Sequence, residues 1–143
     1  MHENDISGII LDAAIEAHRT LGGPGLLERA YEEALVWELQ ARGLTLERQK
    51  HVPIRYKGHI LATPLRLDLL VADKVIVECK ATTKYNPIYE AQVLTYLRLT
   101  GLKLGIVIDF GSRRVKDAYY RVVNGLEPHP KEHRTYVTAQ RKG

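Results

Sequence analysis

RLDLLVADKVIVECK, residues 66–80, is two apolar, β-branched runs around a short polar break, which is the pattern of a β-hairpin. A loop of three residues, Ala72 to Lys74, pairs Val71 with Val75 and so sets Asp68 opposite Glu78, with Cβ atoms about 5 Å apart. Glu78 and Lys80 are two residues apart and point to the same side of a strand, so the three polar groups are expected on one face. Two carboxylates that close repel each other. In a half-buried site they share a proton, pair with a cation such as Lys80, or hold a metal ion. The plainer alternative is a pair of ordinary sheet carboxylates on a solvated face. If the pair does hold a metal, Asp68, Glu78 and the backbone carbonyl of Cys79 are hard oxygen donors that suit Mg2+ or Mn2+ better than zinc. Lys80 beside them would neutralise the site and position or activate a water near a phosphate. Cys79 itself points to the opposite face and reads as core packing.

Apolar residues at helical spacing on the N-terminal side predict a first helix over 6–21, stopped by Gly22, Gly23, Pro24 and Gly25. A second helix is expected over 26–42, with Leu27, Ala30, Tyr31, Ala34, Leu35 and Leu39 on its inner stripe and Gly43 as its stop. Glu28 in its first turn complements the helix dipole, and Tyr31 and His18 read as packing residues. Alternation predicts a strand over 51–56, with Lys57 and Gly58 turning into the next segment. Beyond the hairpin, Asn86 and Pro87 read as the cap and first residue of a third helix that stops at Gly101. A buried strand over 104–108 and a last strand over 114–123 complete the order. Helix, helix, three strands, helix and two strands give an α/β fold, a mixed sheet with flanking helices. Gln92 and Tyr96, four residues apart on the third helix, share a face.

The chain has 143 residues, of which 45% are hydrophobic, enough for one domain, expected over 1–125. Residues 126–143 form a basic extension that holds half of the formal net charge of +4. The body is therefore only mildly cationic, weak support on its own for a phosphate-rich partner. One cysteine precludes an internal disulfide, no apolar run is long enough to span a bilayer, and the first residues do not read as a secretory signal, so a cytoplasmic protein is expected.

Several of these segments together resemble a known family. GLLERAY at 25–31, with Gly25, Glu28 and Tyr31, is similar to the signature of the GxxExxY proteins, and AAIEAHRTLGGPG before it and YEEAL at its end resemble that family's flanks. RLDLLVADKVIVECKA, EAQVLTYL and GLKLGIVIDFG follow in the family's order, so the resemblance covers residues 6–126. That family lies in the PD-(D/E)XK nuclease-like superfamily, whose restriction-endonuclease-like core is a helix, three strands, a helix and a strand. The resemblance implies that Asp68 and Glu78 ligate a divalent metal, that Glu28 completes the site, and that Lys80 is the catalytic lysine. It likewise gives Gln92 a catalytic part and makes Gln92 and Tyr96 the glutamine and tyrosine motif of the exonuclease-like branch. There are departures: Leu67, not proline, precedes Asp68; Asp109 stands where asparagine is frequent; Cys79 replaces a more usual leucine.

The function expected on this basis is a Mg2+- or Mn2+-dependent nuclease acting on nucleic acid, with DNA as the substrate. Arg66, Arg113 and Arg114 are candidate phosphate contacts, and Tyr31 and Tyr96 further substrate-binding candidates. The alternative is a nucleic-acid-binding or assembly module with the same fold and little turnover, such as a subunit of a repair or defence complex. Tyr119, Tyr120 and the apolar stripe of the first helix are surfaces that a homodimer could use.

Overall fold

The computed structural model describes residues 1–128. Helix α1 (Glu3–Thr20) starts three residues before the expected position, because the His2 ring caps it: Nδ1 accepts the Asn4 N–H at 2.9 Å. Helix α2 (Glu28–Ala41) starts two residues late, leaving Leu26 and Leu27 outside it and exposed. Their apolarity suggested a helical face, but each lies in the glycine-rich connection. Gly43 and Gly101 take φ of +82° and +76° and end their helices as expected.

The strand expected over 51–56 is misplaced. Strand β1 runs earlier, Leu46–Val52, and Pro53 follows it; a two-residue pair, β2 (Arg55–Tyr56) and β3 (His59–Ile60), folds back around Lys57 and Gly58. Both turn residues have positive φ, +49° and +81°. LERQKHV lacks a clear alternation because β1 is an edge strand with little buried surface. Strands β4 (Leu65–Val71) and β5 (Val75–Lys80) form the hairpin in the anticipated register, Val71 opposite Val75 and Leu69 opposite Val77. Ala72 and Asp73 turn it in left-handed conformations, closed by the Lys74 N–H on the Val71 carbonyl at 3.0 Å.

Helix α3 (Ile88–Thr100) begins where Asn86 Oδ1 accepts the Ile88 N–H at 3.0 Å. It carries the chain across to β6 (Leu104–Asp109), which lies parallel to β5 as such a crossover requires. Only the second half of the expected last strand is extended: residues 115–117 make a 3-10 turn before β7 (Tyr119–Val123). The sheet order is β1-β4-β5-β6-β7, mixed, with one parallel pair. This is the restriction-endonuclease-like arrangement expected from the sequence.

Two cores sandwich the sheet. On one side α1 and α2 set Ile6, Ile10, Tyr31, Leu35 and Leu39 against Val77, Cys79, Ile106 and Phe110; on the other, α3 sets Val93 and Leu97 against Leu67, Ile76 and Val107. Each such fully buried aliphatic side chain contributes about 1.5–3 kcal/mol. The buried face of α1 is therefore spent on the core rather than on a partner. Tyr119 packs there too, with its hydroxyl on the Ser7 carbonyl at 2.8 Å, and Tyr120 stacks on Tyr85 with centroids 4.0 Å apart. Residues 129–143, most of the expected basic extension, lie outside the described residues. Among the described residues, no helix is long and apolar enough to cross a membrane.

Candidate active site

The β4–β5 ladder stops at Leu69 and Val77, and the two acids take over its hydrogen bonds. The Asp68 N–H donates to Glu78 Oε2 at 2.8 Å, and the Cys79 N–H donates to Asp68 Oδ2 at 3.0 Å. Buried backbone donors need acceptors, and here the carboxylates supply them by wedging between the strands. That wedge breaks strict alternation. Leu67 and Leu70, three residues apart, both pack on the α3 side, whereas Leu69 packs on the α1 and α2 side. The single shared face expected for the three polar groups is corrected accordingly: they meet at the splayed end of the hairpin. From there Asp68 lines a cleft toward α2, and the Lys80 ammonium lies 4.6 Å from the centre of the Tyr89 ring on α3.

Each acid has one oxygen committed to the backbone. Among the described residues, Asp68 Oδ1 and Glu78 Oε1 have no hydrogen-bond partner. Both residues are buried, and loss of water raises both pKa values. Burial, then repulsion from Asp68, pushes Glu78 up to about 8; its backbone bond, Lys80 and Arg66 oppose the rise. Asp68 is raised by burial against the pull of the Cys79 N–H, Lys80 and Arg66. Desolvation of both acids and the repulsion of Glu78 by Asp68 are conditions that a divalent ion relieves. Tyr96 is raised by burial and by the carboxylates of Glu78 and Asp68, which places its hydroxyl in the same electrostatic neighbourhood.

Glu28 opens α2 at the rim of the cleft; partial desolvation raises its pKa, with Lys80 pulling it down and Asp68 pushing it up. It feels the acid pair without completing a cluster: among the described residues, no group of three or more His, Cys, Asp or Glu side chains could hold a metal ion. The donor set present is a pair of carboxylates. That still fits Mg2+, which keeps several waters and is commonly held by one or two carboxylates plus substrate oxygens.

The structure separates the other candidates. Arg66 lines the acid cleft; Arg113 and Arg114 line a different pocket, with Ile15, Gly22 and Lys116. Gln92 is exposed on α3, with no hydrogen bond drawn to Lys80. Tyr31 is fully buried: it stacks on Phe110 at 4.9 Å, accepts the Leu26 N–H at 3.0 Å and donates to the Gly23 carbonyl at 2.7 Å. It pins the glycine-rich connection from within, where no substrate reaches it. His18 packs beside it, its Nε2 3.1 Å from the Phe110 carbonyl. Cys79 is buried, and burial raises its thiol far above the usual range, so it is inert packing. Asp109 is also buried; Oδ1 accepts the Thr82 and Gly111 N–H groups at 3.0 and 2.9 Å, and Oδ2 takes the Thr82 hydroxyl. It ties the segment leaving β5 to the end of β6.

Sequence reasoning missed the polar wall of the cleft. Glu32, buried on α2, accepts from Arg48 at 2.9 Å and from Gln49 Nε2 at 3.0 and 3.2 Å. The signal was present but quiet: Glu32 lies one turn beyond Glu28 and one turn before the buried Val36, so a charge intrudes on the apolar stripe.

A family model described as the PD-(D/E)XK nuclease superfamily matches residues 4–122. The chain belongs to the PD-(D/E)XK nuclease superfamily. The match runs from the first turn of α1 into β7 and takes in every element between, including the paired acids and the cleft beside them. No curated protein matches the chain. Among solved structures, one titled "Crystal structure of SSO0001" is similar, with a TM-score of 0.50 and 15% identity over 95% of this chain and 82% of that one. At that identity the likeness concerns the fold alone. Membership in a superfamily of nucleases implies interaction with nucleic acid, and such nucleases usually employ divalent metals.

Proposed function

We propose that the protein is a Mg2+- or Mn2+-dependent nuclease that hydrolyses phosphodiester bonds, with DNA as its substrate. The observation that carries this reading is the desolvated acid pair at the splayed end of β4 and β5, with one unpartnered oxygen on each acid and Lys80 alongside. Asp68, Glu78 and the Cys79 carbonyl would hold the ion, with Glu28 at the rim. A dication bound there supplies Lewis acidity, polarising a phosphoryl oxygen and lowering the pKa of a water. Lys80, steadied by the Tyr89 ring, orients that water or offsets the charge that builds on the phosphate oxygens. Arg66 contacts a phosphate from the cleft wall, and Tyr96 and the exposed Gln92 would meet the substrate strand from α3. The Gly25, Glu28 and Tyr31 pattern supports placement in the GxxExxY branch, with Tyr31 holding the loop that sets Glu28.

Asp68→Ala protein should keep its fold and lose cleavage of labelled DNA in Mg2+ and Mn2+. Cleavage persisting in clean, folded Asp68→Ala protein rules the reading out. The second reading is a nucleic-acid-binding module with little turnover, and the lack of a three-side-chain metal cluster among the described residues favours it. Wild-type protein that binds strands but yields no new ends in either ion would establish that one instead.

A further inference from the structure

Gln49 sits in the middle of β1 with a φ of +48°, a left-handed conformation that a glutamine adopts only where its surroundings enforce it. The enforcement is visible. Its Nε2 donates to both carboxylate oxygens of Glu32, and its Oε1 accepts a hydrogen bond from Arg66 Nη1. A carboxylate only accepts and a guanidinium only donates, so the amide has one possible orientation. Glu32 is buried and is also held by Arg48, which makes it a fixed post rather than a mobile surface acid.

The partner that Arg66 receives is neutral. Among the described residues Arg66 forms no salt bridge, yet its charge acts on both Asp68 and Glu78, and it lines the same cleft of about 720 Å³ as Asp68 and Glu28. An amide oxygen fixes where a guanidinium points without cancelling its charge. A carboxylate in that place would do both.

We propose that Gln49 is a positioning residue that ties Arg66 to the buried Glu32 and so presents a guanidinium held in no salt bridge, beside the acid pair, to a phosphate of the bound strand. The proposal rests on the nuclease reading above and deepens it by assigning the cleft between α2 and β1 to the substrate backbone. Arg66 makes the contact; Gln49 acts only through Arg66.

The test is binding of a fluorescein-labelled mixed-sequence DNA duplex to the full chain in EDTA, followed by anisotropy from low to moderate salt. EDTA removes any dependence on the metal site. Gln49→Gly removes the amide and keeps a backbone at ease with positive φ. It should weaken binding about fivefold, the scale of one ordinary net hydrogen bond, because Arg66 keeps its charge and loses only its orientation. Arg66→Ala should weaken binding further and lower the salt slope by about one phosphate contact. The Gln49→Gly/Arg66→Ala double variant should bind no worse than Arg66→Ala alone. Gln49→Asn, which tolerates the same φ but is one methylene too short to bridge, should behave like Gln49→Gly and serves if the glycine variant does not fold. The proposal is overturned if folded Gln49 variants bind as wild type, or if the Gln49 effect persists undiminished on the Arg66→Ala background. Wild-type protein that binds no DNA in EDTA, or lost coupling with intact wild-type binding, overturns this proposal alone; wild-type protein that neither binds nor cleaves DNA in Mg2+ or Mn2+ overturns the nuclease reading as well.

Discussion

Replacing Glu78 by glutamine should make the protein more stable at pH 8 in the absence of divalent ions and flatten its dependence on pH. Burial and the Asp68 carboxylate raise Glu78 from 4.5 to about 8 in the folded chain. The folded state thus holds a proton that the unfolded state has released, and stability falls as pH climbs through that window. It is fully present below about 4.5, declines up to about 8 and is level above. A rise of this size corresponds to at most about 5 kcal/mol at 1.36 kcal/mol per pH unit. For a chain of this length that is on the order of 10 °C in melting temperature. Glutamine keeps an oxygen for the Asp68 N–H but cannot ionise, so most of the decline should vanish. The assay is urea or thermal denaturation in EDTA from pH 5 to 8.5. Mn2+ at pH 8 should then restore wild-type stability by occupying the charged pair, and do much less for the variant. Wild-type protein equally stable at pH 5 and pH 8 in EDTA, or a variant with the wild-type slope, would refute the idea that the acids are held under electrostatic stress.

Two further substitutions test the supports of the site. Tyr31→Phe keeps the stack on Phe110 but strands the Leu26 N–H and the Gly23 carbonyl, and should cost about 1–3 kcal/mol in denaturant unfolding while sparing residual cleavage more than Asp68→Ala does. Gly111→Ala would drive a methyl to 2.1 Å from the Thr82 carbonyl oxygen, which is backbone and cannot swing aside; a loss of about 2 kcal/mol or more is expected, read by the same unfolding assay.

What the sequence made legible followed from short-range rules. The hairpin register, the glycine stops and the Asn86 cap each depend on a few neighbouring residues, and each appears in the structure. Strand β1 stayed hidden because an edge strand need not alternate, and the apolar alternation of Val52, Ile54 and Tyr56 ran across the break at Pro53. The departure from alternation at Asp68 could not be read, since it arises from carboxylates taking backbone donors across two strands. Glu32 was passed over for a related reason: its partners Arg48 and Gln49 are 16 and 17 residues away in sequence and reach it only through tertiary folding.

Gly105 on β6 has a consequence that reaches α3. A methyl there would stand 2.3 Å from Val93 Cγ1, so the helix rests against bare backbone. Val93 lies between Tyr89, whose ring lies under the Lys80 ammonium, and Tyr96, whose hydroxyl feels the charge of the acids. The separation between helix and sheet beside the acid pair is thus gauged by a hydrogen atom on the adjoining strand, and a side chain there would shift the surroundings of Lys80 without touching it.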